Sequence, residues 1–154
     1  MDYKYTSEKG NDIWLMQGDC LERMKEIPDG SVDLVLADPP FGTTRNSWDS
    51  IISLELMWEQ LWRVLKPNGA VVLCASQPFT SVLVSSQLRN FKTEWIWSKN
   101  KGSGHLNAKK MPMKFHEALV VFYKKPPTYN PQMTTGHKEV SYTGNRADKA
   151  SSNY

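Results

Sequence analysis

Residues 32–37, Val-Asp-Leu-Val-Leu-Ala, make an apolar run that stops at Asp38-Pro39-Pro40-Phe41. Such a run, rich in branched aliphatic residues and closed by a turn signal, predicts a buried strand of a parallel sheet. In open α/β sheets, ligands bind in the crevice beyond the carboxyl ends of the strands. The run therefore delivers a carboxylate, a stiff Pro-Pro backbone and an aromatic ring to the place where chemistry is done. Each proline fixes its own φ and restricts the residue before it. The Asp38 side chain and the Pro39 carbonyl are thereby held in a nearly fixed relation. A Pro-Pro pair is also simply a stiff way to leave a sheet, and it is the strand-to-loop context that favours the functional reading.

Two acceptors, a carboxylate and a carbonyl, can each take one hydrogen of an amino group. Doing so turns the nitrogen lone pair out of conjugation with its ring and aims it at an electrophile. Phe41 adds a surface on which a planar heterocycle can stack. An exocyclic amine on an extruded base fits this trap. The matching reaction is in-line transfer of an alkyl group to nitrogen, which needs orientation more than acid strength.

These residues resemble the signature of the amino-methylating DNA methyltransferases, the adenine-N6 and cytosine-N4 group, which use S-adenosylmethionine. Asp in the first signature position goes mostly with adenine and Ser with cytosine. Gly18-Asp19-Cys20-Leu21-Glu22 is similar to the segment whose Asp contacts the adenine ring of the cofactor. Gly42-Thr43-Thr44 with Trp48-Asp49 is similar to the loop that follows the signature in phage-type members. Leu65-Lys66-Pro67-Asn68-Gly69, Ser76-Gln77-Pro78-Phe79-Thr80, Trp97-Ser98-Lys99, Asn107-Ala108-Lys109-Lys110 and His116-Glu117 follow in the family's order. The resemblance spans residues 12–133. It implies a catalytic set of Asp38, Pro39, Pro40 and Phe41, with Asp19 and Asp38 at the cofactor. It also implies double-stranded DNA as substrate, a bacterial or phage cytoplasm, and a role in restriction-modification or phage self-protection. An RNA amine is a related possibility, since RNA amine methylation uses a similar trap.

The implied fold class is α/β, the Rossmann-like fold of S-adenosylmethionine-dependent methyltransferases. In the family's circularly permuted β class the catalytic half comes first, then target recognition, then a cofactor half with a glycine-rich loop. No glycine-rich loop follows Tyr123, so the expectation is a catalytic half only, over 1–125, with 126–154 a linker or the start of a recognition region. The family sheet order 3-2-1-4-5-7-6 would then leave the signature strand with an open apolar edge, a template for another strand. Three outcomes are expected to compete: the first strand moving beside the signature strand, pairing with a second copy, or pairing with a separate cofactor-binding half. The alternative to an active adenine enzyme is an incomplete DNA-binding half, or a cytosine-N4 enzyme.

A chain of 154 residues is one domain by size and can bury a core. Its net charge of +3 does not announce a nucleic-acid protein, but the distribution says more. Lys99, Lys101, Lys109, Lys110 and Lys114 fall in one segment with no carboxylate between Trp97 and His116. A basic stretch is often just a solvated face. Beside the signature, Lys99, Lys101, Lys109 and Lys110 become candidates for phosphate contact, joined by Arg45 and Trp48 in the loop after Phe41. The two cysteines, Cys20 and Cys74, do not make a disulfide framework, and with His105 and His116 they show no metal-ligand spacing. No apolar stretch is long enough to span a bilayer. Asp49, Glu94 and Glu117 form no evident acid–base pair.

Periodicity predicts strands over 13–17, 32–37, 70–75, 91–97 and 116–123. It predicts helices over 20–27 and 54–65, and one opened by Pro78. Pro67-Asn68-Gly69 is expected to end the second helix. Alternating strands and helices point to a doubly wound sheet. Asp19 has a second reading as a helix N-cap.

Overall fold

The computed structural model describes residues 3–6, 12–47 and 49–136. Two short strands, β1 (Tyr3–Thr6) and β2 (Asp12–Leu15), pair antiparallel in a sheet of their own. The short helix α1 (Cys20–Met24) follows, capped by Asp19, whose carboxylate accepts from the Leu21 and Glu22 backbone N–H groups at 2.9 and 3.3 Å. The signature strand β3 (Val32–Ala37) leads through the Pro-Pro loop to α2 (Leu54–Val64). Helix α2 passes directly into β4 (Leu65–Ala75), which lies parallel to β3. Helix α3 (Phe79–Ser86), β5 (Phe91–Ser103) and β6 (Lys114–Phe122) complete the described elements.

The main sheet has the order β3-β4-β6-β5, with β6 antiparallel to both neighbours. The predicted strands at 32–37, 70–75, 91–97 and 116–123 are all present, although the strand at 32–37, expected to be buried, lies at the sheet edge with Leu34 and Leu36 exposed. Two of these strands extend further than their apolar cores, because ladder hydrogen bonds carry β4 back to Leu65 and β5 on to Ser103. The expected turn at 67–69 is instead a register shift inside β4. Val32 pairs with Leu65 and Leu34 with Ala70, so the intervening residues bulge. Gly69 is required there: a Cβ would lie 2.6 Å from Leu65 Cγ and 3.0 Å from the Asp33 carbonyl oxygen.

Helix α2 presents Met57, Trp58, Leu61 and Val64 to the sheet, the i, i+1, i+4, i+7 spacing of a single apolar stripe. Trp58 lies edge-on to Phe122 at 4.8 Å between centroids, and its indole N–H donates to Ser86 Oγ at 2.8 Å. Arg63 on the same helix holds the exit of α1. It donates to the Ile27 and Met24 carbonyls at 2.9 and 2.6 Å and pairs with Asp29.

All three helices pack on one face of the sheet, around Val71, Leu73, Val120 and Phe122. Among the described residues the fold is therefore wound on one side. The other face presents alternate residues of the same strands, including Leu36 on β3 and Trp97 on β5, which are 66% and 53% exposed. Of the three competing outcomes, the move of the first strand to the side of β3 does not occur among the described residues. Strand β2 pairs with β1, its near neighbour in sequence, where loop closure costs least, and the outer edge of β3 has no strand beside it among the described residues.

Candidate active site

Parallel pairing of β3 with β4 brings Ala37 opposite Leu73, so Asp38 leaves the sheet level with Cys74 at its carboxyl end, where Ser76 follows β4. Asp38 is exposed, and among the described residues it makes no hydrogen bond or ion pair. It lines a cavity of about 280 Å³ together with Pro39, Pro40, Phe41, Thr43, Thr44 and Asp49. The Phe41 ring is half-buried and lies on Phe79, with centroids 5.4 Å apart and planes 23° from parallel. Phe79 itself is 2% exposed and belongs to the core. One face of Phe41 is therefore occupied by the protein.

The loop after Phe41 is closed by Asp49. Its carboxylate accepts from the backbone N–H groups of Gly42, Thr43 and Thr44 at 2.8, 2.9 and 2.6 Å. The Thr44 hydroxyl, followed by these backbone donors, holds the Asp49 carboxyl below the usual carboxylate range, against a burial effect in the opposite direction. Gly42 turns the chain with φ +65°, and a Cβ there would meet Ile51 Cγ1 at 2.8 Å. Arg45 is exposed on this loop; Trp48 lies outside the described residues.

The lysine-rich segment reaches the same end of the sheet. Ala75 pairs with Ala118, and Ala118 with Ile96, so the end of β5 and the start of β6 lie at the carboxyl ends of β3 and β4. Lys101, Lys109 and Lys110 are exposed there. Lys99 is engaged within the protein: it pairs with Glu117 and lies 5.4 Å from the centroid of the Trp97 ring. Lys114 donates to Ser76 Oγ, tying the hairpin to the end of β4. Cys74 lies in this neighbourhood, on the uncovered face. Burial pushes its thiol up, the charges of Asp38 and Glu117 add to that, and Lys99 opposes it.

Asp19 is not brought to this cavity. It spends its carboxylate on the first turn of α1, because β2 sits in the small hairpin and not beside β3. The described residues thus bring Asp38, Pro39, Pro40 and Phe41 to one cavity and leave Asp19 at the cap of α1. Sequence reasoning missed Asp49, Phe79, Ser76 and Glu117 as parts of the site. Their roles arise from contacts made on folding; the only prior signal was their position in segments that follow the signature.

No family model matches the chain. Among curated proteins it is 31% identical over 130 residues to the type II methyltransferase M.BamHI of Bacillus amyloliquefaciens, covering 77% of this chain and 30% of that protein. It is 29% identical over 127 residues to the DNA adenine methyltransferase YhdJ of Escherichia coli K12, covering 75% of this chain and 42% of that protein. The chain thus spans less than half the length of these relatives. Among solved structures, M1.HpyAVI superposes with a TM-score of 0.57 at 20% identity, over 79% of this chain and 61% of that one. The cytosine-N4-specific PvuII DNA methyltransferase superposes with a TM-score of 0.56 at 17% identity, over 71% and 49%. The fold is the Rossmann-like α/β fold of S-adenosylmethionine-dependent methyltransferases.

Proposed function

We propose that this chain is the catalytic part of a site-specific DNA methyltransferase that carries a methyl group from S-adenosylmethionine to the N6 amine of a flipped-out adenine. The observation that carries this reading is the Asp38 carboxylate, exposed and without a partner among the described residues, at the carboxyl end of a parallel strand and lining one cavity with Pro39, Pro40 and Phe41. Asp38 and the Pro39 carbonyl each accept one hydrogen of the target amine, and Phe41, lining the same cavity, supports the ring. If bound there, S-adenosylmethionine would supply the electrophilic methyl group, its methyl–sulfur bond breaking as the nitrogen–carbon bond forms and S-adenosylhomocysteine leaving as the thioether. Lys101, Lys109, Lys110 and Arg45, exposed at this end or on the adjoining loop, contact phosphate and hold the duplex. The Asp-type signature and the likeness to YhdJ support adenine; the fold is equally that of a cytosine-N4 enzyme. Restriction-modification or phage self-protection is the setting in which such an enzyme serves.

A second reading, favoured by the uncovered sheet face, is that turnover needs a separate cofactor-binding half seated on that face and on the β3 edge. Leu34 and Leu36 are exposed there, and Cys74 on the same face feels the charge of Asp38, so the surface is continuous with the site. The relatives contain most of their length beyond the matched region, which is the polypeptide available to fill it. Light scattering after size exclusion separates a monomer awaiting that half from a self-paired dimer.

The direct test is transfer of labelled methyl from S-adenosylmethionine to unmethylated DNA by the chain, with Asp38→Ala as control. Incorporation that disappears in the control supports the enzyme reading. Absence of incorporation by a folded chain supports the incomplete half, and incorporation unchanged in Asp38→Ala overturns both roles given to this corner.

A further inference from the structure

We propose that Asp49 is the positioning residue of this site, its carboxylate gathering three successive backbone N–H groups so that the loop after Phe41 keeps the shape that walls the cavity beside Asp38. The inference rests on the amine-methylating reading and assigns to that site a residue outside its signature.

Successive backbone N–H groups that converge make an anion-binding nest. Here the anion comes from the chain itself. Asp49 Oδ1 accepts from Gly42, and Oδ2 accepts from Thr43 and Thr44. Asp49 is 8% exposed, although it sits in a loop whose other described members are mostly exposed. The loop is held from behind as well, where Ile51 fills the space that a side chain at Gly42 would need. Asp49 N–H also donates to the Asn46 carbonyl at 3.0 Å, so the residue closes the turn through both its backbone and its side chain.

Thr43 and Thr44 line the cavity with Asp38 and Phe41. Without the carboxylate their N–H groups and that of Gly42 have no acceptor in the loop and must turn toward water. That movement takes away a wall of the cavity and leaves β3 and β4 in place. Asp49 does not need to touch a substrate for this; it acts through the loop. An asparagine keeps one acceptor oxygen but places an N–H₂ donor against at least one backbone N–H, so it preserves only part of the clasp.

The experiment follows amide hydrogen exchange in the full chain and methyl transfer in parallel, for wild type, Asp49→Ala and Asp49→Asn. Asp49→Ala is expected to lose at least roughly tenfold of the protection at the Gly42, Thr43 and Thr44 amides, with β4 amides unchanged as the control for folding. Methyl transfer is expected to fall on the order of 10- to 100-fold in kcat with KM for DNA little changed, because misplacement at the reacting centre is costly while phosphate contacts remain. Asp49→Asn should lie between Asp49→Ala and wild type in both readouts. Unchanged protection at 42–44 in Asp49→Ala overturns the proposal. So does lost protection with unchanged kcat. A wild-type chain that transfers no methyl counts against the reaction, and exchange then decides the clasp alone.

Discussion

Replacing Phe79 with alanine removes the ring on which Phe41 lies, and the loss can be sized from the contacts. Phe79 is 2% exposed and packs within the main core, so the deletion belongs to the class of buried Phe→Ala changes that cost about 3–5 kcal/mol. Part of that cost belongs to the Phe41–Phe79 pair, whose centroids are 5.4 Å apart at 23° between planes. Stacked pairs of this kind contribute about 0.5–1.5 kcal/mol beyond their buried area. The assay is urea unfolding of wild type, Phe41→Leu, Phe79→Leu and the double variant, with Phe79→Ala as the severe case. Leucine keeps most of the volume, so the proteins stay folded and the cycle isolates the ring–ring term. With a urea slope of about 2 kcal/mol/M, Phe79→Ala should lower the midpoint by roughly 1.5–2.5 M. The cycle should give a coupling of about 0.5–1.5 kcal/mol. A coupling indistinguishable from zero would refute the argument that the core anchors the signature aromatic through Phe79.

Three further outcomes are expected. Arg63→Met should destabilise the chain by about 2–3 kcal/mol in urea unfolding, since it removes charge-assisted bonds to the Met24 and Ile27 carbonyls and the Asp29 pair; a change within 0.5 kcal/mol, about the scatter of surface substitutions, would show that the clamp is idle. The Asp49 carboxyl titrates lower in the folded chain than in the unfolded chain, whose value is about 3.9, so its contribution is fully present above that pH and lost as pH falls through the lower folded value. Exchange protection at 42–44 should therefore be flat from pH 7 to about 4 and fall only below that range, while Asp49→Asn removes the dependence. The Cys74 thiol, raised by burial and by Asp38 and Glu117, should react slowly with iodoacetamide at neutral pH; Asp38→Asn should speed the reaction and Lys99→Met slow it, and equal rates in all three would contradict the placement of those charges.

The parts of the fold legible in the sequence were those fixed by local pattern. The apolar run at 32–37, the stripe on α2 and the alternation of strands and helices each carry their own periodicity, and the corresponding elements are present. What pattern could not supply was partner choice. Nothing local says that Asp12–Leu15 pairs with Tyr3–Thr6 instead of with β3. Nor does it say that the chain stays in a strand through Pro67, which depends on a bulge negotiated with β3. The Asp-Pro-Pro-Phe corner was visible because its stiffness is covalent. The Asp49 clasp was not, since its acceptors and donors are brought together by a glycine turn. Lys99 read as free charge because Glu117 lies on the adjacent strand, 18 residues away.

The central claim is that Asp38 presents an exocyclic amine for methylation, and the most direct measurement is the identity of the methylated nucleoside. DNA treated with S-adenosylmethionine and the chain, together with any cofactor half it needs, would be digested to nucleosides and resolved by mass and retention. The account predicts N6-methyldeoxyadenosine with wild type and none with Asp38→Ala. Label on a ring carbon, or the same methylated amine from Asp38→Ala, would contradict it.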